Sequence, residues 1–90
     1  MEKLQYNIVV YGRVQGVWFR KSAKEEAIAL RLNGFVRNEK DGSVYIEAEG
    51  EANQLDALVA WCKMGPAKAC VDDVTVEEGK VLEFQTFHIR

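Results

Sequence analysis

Polar and apolar residues alternate at the start of the chain, and LQYNIVVYGRV (residues 4 to 14) then runs into the β-rich core IVVY, which predicts a strand. From residue 20 to 33 the period changes. Ala23, Ala27 and Leu30 fall on one stripe that reaches back to Phe19, Ile28 and Leu32 widen it, and charges fill the remainder, so an amphipathic helix is expected. Asn33-Gly34 is its expected end, because glycine tolerates the left-handed conformation of a helix stop. Phe35 to Asn38 reads as a short strand, and Asp41-Gly42 is a hairpin signal. SVYIEAEG follows with Val44, Ile46 and Ala48 on one face and Tyr45, Glu47 and Glu49 on the other. Residues 51 to 64 predict a second helix through Leu55, Leu58, Val59 and Cys62, stopped by Gly65-Pro66. Val71 to Glu78 reads as a strand with Val74 and Val76 inward. Glu83 to Ile89 reads as a last strand, with Phe84, Thr86 and His88 opposing Gln85, Phe87 and Ile89.

The order is β-α-β-β-α-β with a short final strand. It predicts an α+β fold of the ferredoxin-like, split β-α-β kind: an antiparallel sheet with two helices on one face. Ninety residues suit one domain spanning 1–90. Net charge of -2 argues against a nucleic-acid partner. The polar start (MEKLQYNIVVYG) is unlike a signal peptide, and no apolar run has membrane-spanning length, so a cytoplasmic protein without membrane contact is expected. Cys62 and Cys70 lack CxxC spacing, and with the single histidine, His88, they make a poor zinc site. Reduced thiols are the simpler reading, with a bridge between the two left open.

Chemistry concentrates in GRVQGVWFRKS, residues 12 to 22. This stretch leaves a strand and enters a helix N-terminus, where unpaired N–H groups and the helix dipole favour an anion. Gly12 and Gly16 permit backbone turns that bring successive N–H groups to one point. Arg20 in the first helical turn opposes the dipole, which suggests that it faces an anionic ligand. The plainer alternative is two turn glycines and a solvated arginine. Known phosphate signatures are absent: there is no Gly-Lys-Ser/Thr and no GxGxxG, and GFVRNEK lacks the rest of the RNA-binding RRM pattern.

Taken whole, the chain resembles the acylphosphatase family. GRVQGVWFR resembles that family's phosphate-binding signature and GFVRNEKDGSVYIEAEG its second signature; WCKMGPAKACVDDVTVEE, FQTFHIR and the length also fit. The resemblance implies metal-independent hydrolysis of acyl phosphates to carboxylate and inorganic phosphate, with no cofactor. It implies that Arg20 binds the phosphoryl group and that Asn38 positions the attacking water. The loop Gln15, Gly16, Val17, Trp18, Phe19 and Arg20 then corresponds to the phosphate cradle. Trp18 stands where the family often has a smaller residue, so access to the loop is expected to be narrower. Ala67 to Cys70 follows the family less closely, outside both signatures.

These residue types suit that chemistry. A carboxylate is a good leaving group and needs no general acid. What remains is charge neutralisation and in-line placement of water. Arginine supplies a planar, permanently charged fork, and asparagine hydrogen-bonds a water without titrating. The expected partners are a small acyl phosphate and inorganic phosphate, as product and inhibitor, acting on a monomer. The runner-up is a non-catalytic anion- or RNA-binding module on the same fold, disfavoured by the presence of both Arg20 and Asn38. His88, Asp72 and Asp73 read as structural or solvated, Asp41 as a turn residue, and Trp61 and Trp18 as packing residues rather than stacking platforms.

Overall fold

The structure is a computed structural model and describes residues 2–90. The elements run β1 (Leu4–Arg13), α1 (Phe19–Ala29), β2 (Asn33–Asn38), β3 (Val44–Gly50), α2 (Ala52–Met64), β4 (Cys70–Gly79) and β5 (Phe87–Ile89). They build a five-stranded sheet in the order β4-β1-β3-β2-β5. β3 inserts between β1 and β2 and runs antiparallel to both, which is the split β-α-β arrangement.

Strand alternation decides which face the helices cover. Ile8 pairs with Ile46, and Ile46 with Val36, to form a fully buried row across the sheet. The next row is Val10, Val44 and Asn38. Against these rows pack Ala23 and Ala27 of α1 and Leu55, Leu58 and Cys62 of α2, all without solvent exposure. Small alanines let α1 approach the sheet closely. Burial pushes the Cys62 thiol up to about 12, with the charge of Glu26 adding to the effect. Cys62 and Cys70 are both free, the second exposed on β4.

Four expectations need correction. The sheet is mixed, because β5 runs parallel to β2. The final strand is only Phe87–Ile89: the chain must first cross from one sheet edge to the other over the face without helices. There the buried carboxylate of Glu49 accepts hydrogen bonds from the backbone N–H groups of Leu82 and Phe84 (2.9 Å for Phe84) and from Gln5 Nε2 (2.9 Å). The N–H groups of Leu82 and Phe84 are thus spent on Glu49 rather than on a strand ladder, and Phe84 packs edge-on against Phe35 at 5.8 Å.

Helix α1 stops well before Gly34. Leu32 N–H bonds to the Ala27 carbonyl and Arg31 N–H to the Ile28 carbonyl, closing a Schellman motif with Arg31 at φ 61°. Gly34 serves β2 instead: its φ is 147°, and a Cβ there would collide with the Glu47 carbonyl oxygen. Ile28 is 54% exposed and Val76 39% exposed, so neither belongs to the core.

Candidate active site

Beyond Arg13 the chain sinks and surfaces residue by residue. Val14, Val17 and Phe19 are buried, while Gly16, Trp18 and Arg20 face outward. The Phe19 ring meets Trp61 of α2 edge-on at 5.3 Å, which fixes where α1 begins. Between these anchors the backbone takes positive φ at Gly16 (73°) and Trp18 (66°). For tryptophan that conformation costs about 1–2 kcal/mol, so strain is held at the loop. Gly12 is not part of this turn. It sits at a bulge in β1 with φ 127°, where a Cβ would collide with the Cys70 carbonyl oxygen. Its role is close packing against β4.

The start of α1 is left electrically open. Its first hydrogen bond is Ser22 N–H to the Trp18 carbonyl at 3.0 Å, so the N–H groups of Phe19, Arg20 and Lys21 have no partner inside the helix. Trp18 provides no side-chain cap, and no acidic residue occupies the first turn. Two cations, Arg20 and Lys21, stand there instead, against the dipole. Neither ion pair of the described residues involves them. An anion at this end would satisfy the free N–H groups, the dipole and the guanidinium together.

Asn38 reaches the same place from the sheet. Two residues beyond Val36, it lies on the helix-facing side, opposite Val44. Its Oδ1 is buried without a hydrogen-bond partner among the described residues, as are Asn7 Oδ1 and Gln54 Oε1 elsewhere. An unpaired buried acceptor costs about 1–3 kcal/mol. Asn38 precedes a tight hairpin in which Glu39 N–H donates to the Ser43 carbonyl at 2.9 Å and Gly42 N–H to the Glu39 carbonyl at 3.2 Å. Asp41 Oδ1 accepts from Ser43 Oγ at 2.6 Å and from Ser43 N–H at 2.9 Å, which holds its carboxyl below the usual carboxylate range.

Gln15 joins the two walls. Its Nε2 donates to the carbonyls of Glu39 (2.8 Å) and Ser43 (2.9 Å). Its side chain therefore turns to the hairpin. The cleft, about 430 Å³, is lined by Val14, Gly16, Trp18, Phe19, Arg20, Lys21, Asn38 and Ile89. Of the expected residues, Gly16, Trp18, Phe19, Arg20 and Asn38 come together there; Val17 anchors the loop from below, and Gln15 braces it from the side. Trp18 is not a packing residue: it is 69% exposed at the lip, with Lys21 Nζ 5.8 Å from its ring centroid. Lys21 and Ile89 went unread in the sequence. Lys21 was legible as a neighbour of Arg20 in the first turn, whereas Ile89 arrives only through the parallel pairing of β5 with β2.

Among the described residues, no three or more His, Cys, Asp and Glu side chains form a group that could hold a metal ion. His88 accepts from Arg90 Nε at 3.2 Å and packs by Phe35, outside the cleft. No helix of the described residues is long and apolar enough to cross a membrane.

Fold and cleft define a class: small α+β domains of ferredoxin-like topology with a cationic, backbone-rich cleft at a strand-to-helix junction. Known proteins narrow it. The acylphosphatase family model matches residues 6–89. The chain is 49% identical over 84 residues to an acylphosphatase of Methylococcus capsulatus, covering 92% of this chain and 91% of that one. The crystal structure of acylphosphatase from Bacillus subtilis superposes with a TM-score of 0.92 at 44% identity, covering 97% of this chain and 98% of that one. An acylphosphatase structure from Coxiella burnetii gives 0.95 at 36% identity, covering 98% and 93%. The chain belongs to the acylphosphatase family and is a hydrolase of acyl phosphates.

Proposed function

We propose that the phosphoryl group of an acyl phosphate lies on the backbone N–H groups of residues 15 to 20, with the Arg20 guanidinium gripping two of its oxygens and Asn38 positioning the attacking water. The observation that supports this most directly is the convergence of Arg20 and Asn38 on one cleft at the uncapped start of α1. The water oxygen attacks phosphorus in line with the acyl oxygen. The P–O bond to that oxygen breaks, and the carboxylate leaves with the electron pair. One water proton stays on the new P–O bond and the other passes to a phosphoryl oxygen, so the products are carboxylate and dihydrogen phosphate. No protein acid is required for a leaving group this stable. Stabilising the charge that builds on the phosphoryl oxygens falls to dipoles already in place, which need no reorganisation.

Asn38 suits the water because a carboxamide offers one acceptor and two donors and does not titrate. Pairing its lone Oδ1 recovers the cost of burying it. Gln15 keeps loop and hairpin at one spacing, so the water on Asn38 is held toward the phosphoryl group that Arg20 grips. The free thiols fit a reducing, cytoplasmic setting, and one domain acting as a monomer on small molecules completes the reading.

Phosphate release from benzoyl phosphate tests it. Arg20→Ala should lose about 10³–10⁵ in rate, and Arg20→Lys should also be poor, since the fork is gone. Asn38→Ala should lose about 10²–10³ in kcat while still binding phosphate as a competitive inhibitor. Equal weakening of phosphate by both alanine variants would overturn the division of roles. Exhaustive chelation should leave the rate unchanged, and restoration of a lost rate by added Mg²⁺ or Zn²⁺ would contradict the mechanism.

A further inference from the structure

The cleft has two kinds of lining. Arg20, Lys21, Asn38 and the backbone at Gly16 are polar. Trp18, Ile89 and the buried Val14 and Phe19 are apolar. At about 430 Å³ it falls within the size range of small-molecule pockets, roughly 300–1,000 Å³. Trp18 is held at the lip in a left-handed conformation that glycine would take without strain, and its indole is 69% exposed. A bulky aromatic side chain kept at a disfavoured φ beside a site points to a use for the ring. Lys21 Nζ, 5.8 Å from the ring centroid, helps set its orientation. Ile89, 40% exposed, lines the same cleft.

We infer that this cleft selects acyl phosphates with an apolar, uncharged acyl group, aromatic by preference, seated against the Trp18 indole with Ile89 beside it. The inference rests on the phosphoryl placement proposed above. The acyl carbon is bonded through one oxygen to the phosphorus, so a phosphoryl group at the loop leaves the acyl group within reach of the apolar lining. Among the described residues, no carboxylate lines the cleft. Its second cation, Lys21, is already placed over the indole, which favours a ring on Trp18 over an anionic acyl chain.

The test compares kcat/KM for benzoyl, acetyl and succinyl phosphate on the intact chain. Because all three share the phosphoryl group, their ratios cancel any general effect on the loop. Wild type should favour benzoyl over acetyl phosphate by about tenfold or more, roughly what one well-placed aromatic contact with its burial supplies. Trp18→Gly, which also relieves the strained φ, should bring that ratio to within about threefold. Trp18→Phe should keep most of the preference, and Ile89→Ser, on a partly exposed position, should lower it. An unchanged ratio in both Trp18→Gly and Ile89→Ser would overturn the inference. So would a wild-type preference for succinyl phosphate, which would assign the lip to Lys21. Failure of folded wild type to hydrolyse any of the three would sink the proposed function instead.

Discussion

Replacing Gln15 by leucine, a residue of similar bulk, removes the brace between loop and hairpin. Its amide makes two hydrogen bonds, to the Glu39 and Ser43 carbonyls at 2.8 and 2.9 Å, each contributing about 0.5–1.5 kcal/mol net. Neither carbonyl is orphaned by the change. Ser43 O still accepts from Glu39 N–H, and Glu39 O from Gly42 N–H. The penalty for an unpaired buried acceptor drops out, and Gln15→Leu should cost about 1–3 kcal/mol of stability. Gln15→Glu should cost more at neutral pH, because a carboxylate then faces two carbonyl oxygens. Those oxygens disfavour the charged form, so the new carboxyl titrates above its unfolded value of about 4.3. The folded state then binds the proton more tightly than the unfolded one, and stability falls as pH rises from that value through the raised pKa. On acidification the protonated acid regains one O–H donor, and the deficit against wild type narrows. Urea midpoints from about pH 4 to about pH 8 measure this. In the benzoyl phosphate assay, kcat of the leucine variant should fall about tenfold or more as the wall carrying Asn38 loosens, while phosphate inhibition stays within about threefold because the loop and Arg20 remain. A glutamate deficit that is flat with pH, or phosphate affinity falling in step with kcat, refutes the brace.

Gly34→Ala should destabilise by about 3 kcal/mol or more, since strand backbone must move to admit the Cβ; Gly16→Ala, with open space around it, should cost only about 1 kcal/mol of strain. Chemical denaturation of the pair separates collision from φ preference. Arg31→Gly should stabilise by about 1 kcal/mol by placing glycine at the left-handed end of α1, read as a rise in Tm of about 4–8 °C. Asp41, held below the ordinary carboxylate range by the Ser43 hydroxyl and N–H, lends the hairpin stability that is complete above about pH 4 and is lost as pH falls through its lowered pKa. The stability gap between wild type and Asp41→Ala should therefore shrink on acidification.

Alternation and helical period carried most of the fold, because β1, β3 and the two helices each bury one face against the same core. Arg20 was legible as a cation in the wrong turn of a helix. Asn38 was marked only by its resemblance to the second signature; its place on the helix-facing side beside Val36 follows from the pairing of β2 with β3. What escaped depends on contacts between distant residues. Glu49 alternates as an outward residue, yet the crossing of 80–86 makes it a buried acceptor, and that crossing shortens the last strand. Helix α1 ends on a Schellman motif that puts Arg31, not a glycine, at positive φ. Gln15 sits in the loop motif, but its partners are carbonyls of another turn, which no local pattern marks. Trp18 was expected to pack and is exposed because Val17 and Phe19 on either side take the buried places.

Sheet order also has a consequence for self-association. β5 occupies the outer side of β2 from Gly34 to Val36, whereas β4 is left as a ten-residue outer strand with unpaired backbone groups along one side. Such an edge is a template for a second copy. Here it carries Asp72, Asp73, Glu77 and Glu78, all exposed. Two copies meeting edge to edge would bring like charges together before any backbone hydrogen bond formed. That repulsion is a physical reason to expect a monomer near neutral pH. It also marks concentrated acid solutions, and those of high ionic strength, as the conditions in which the edge is least guarded.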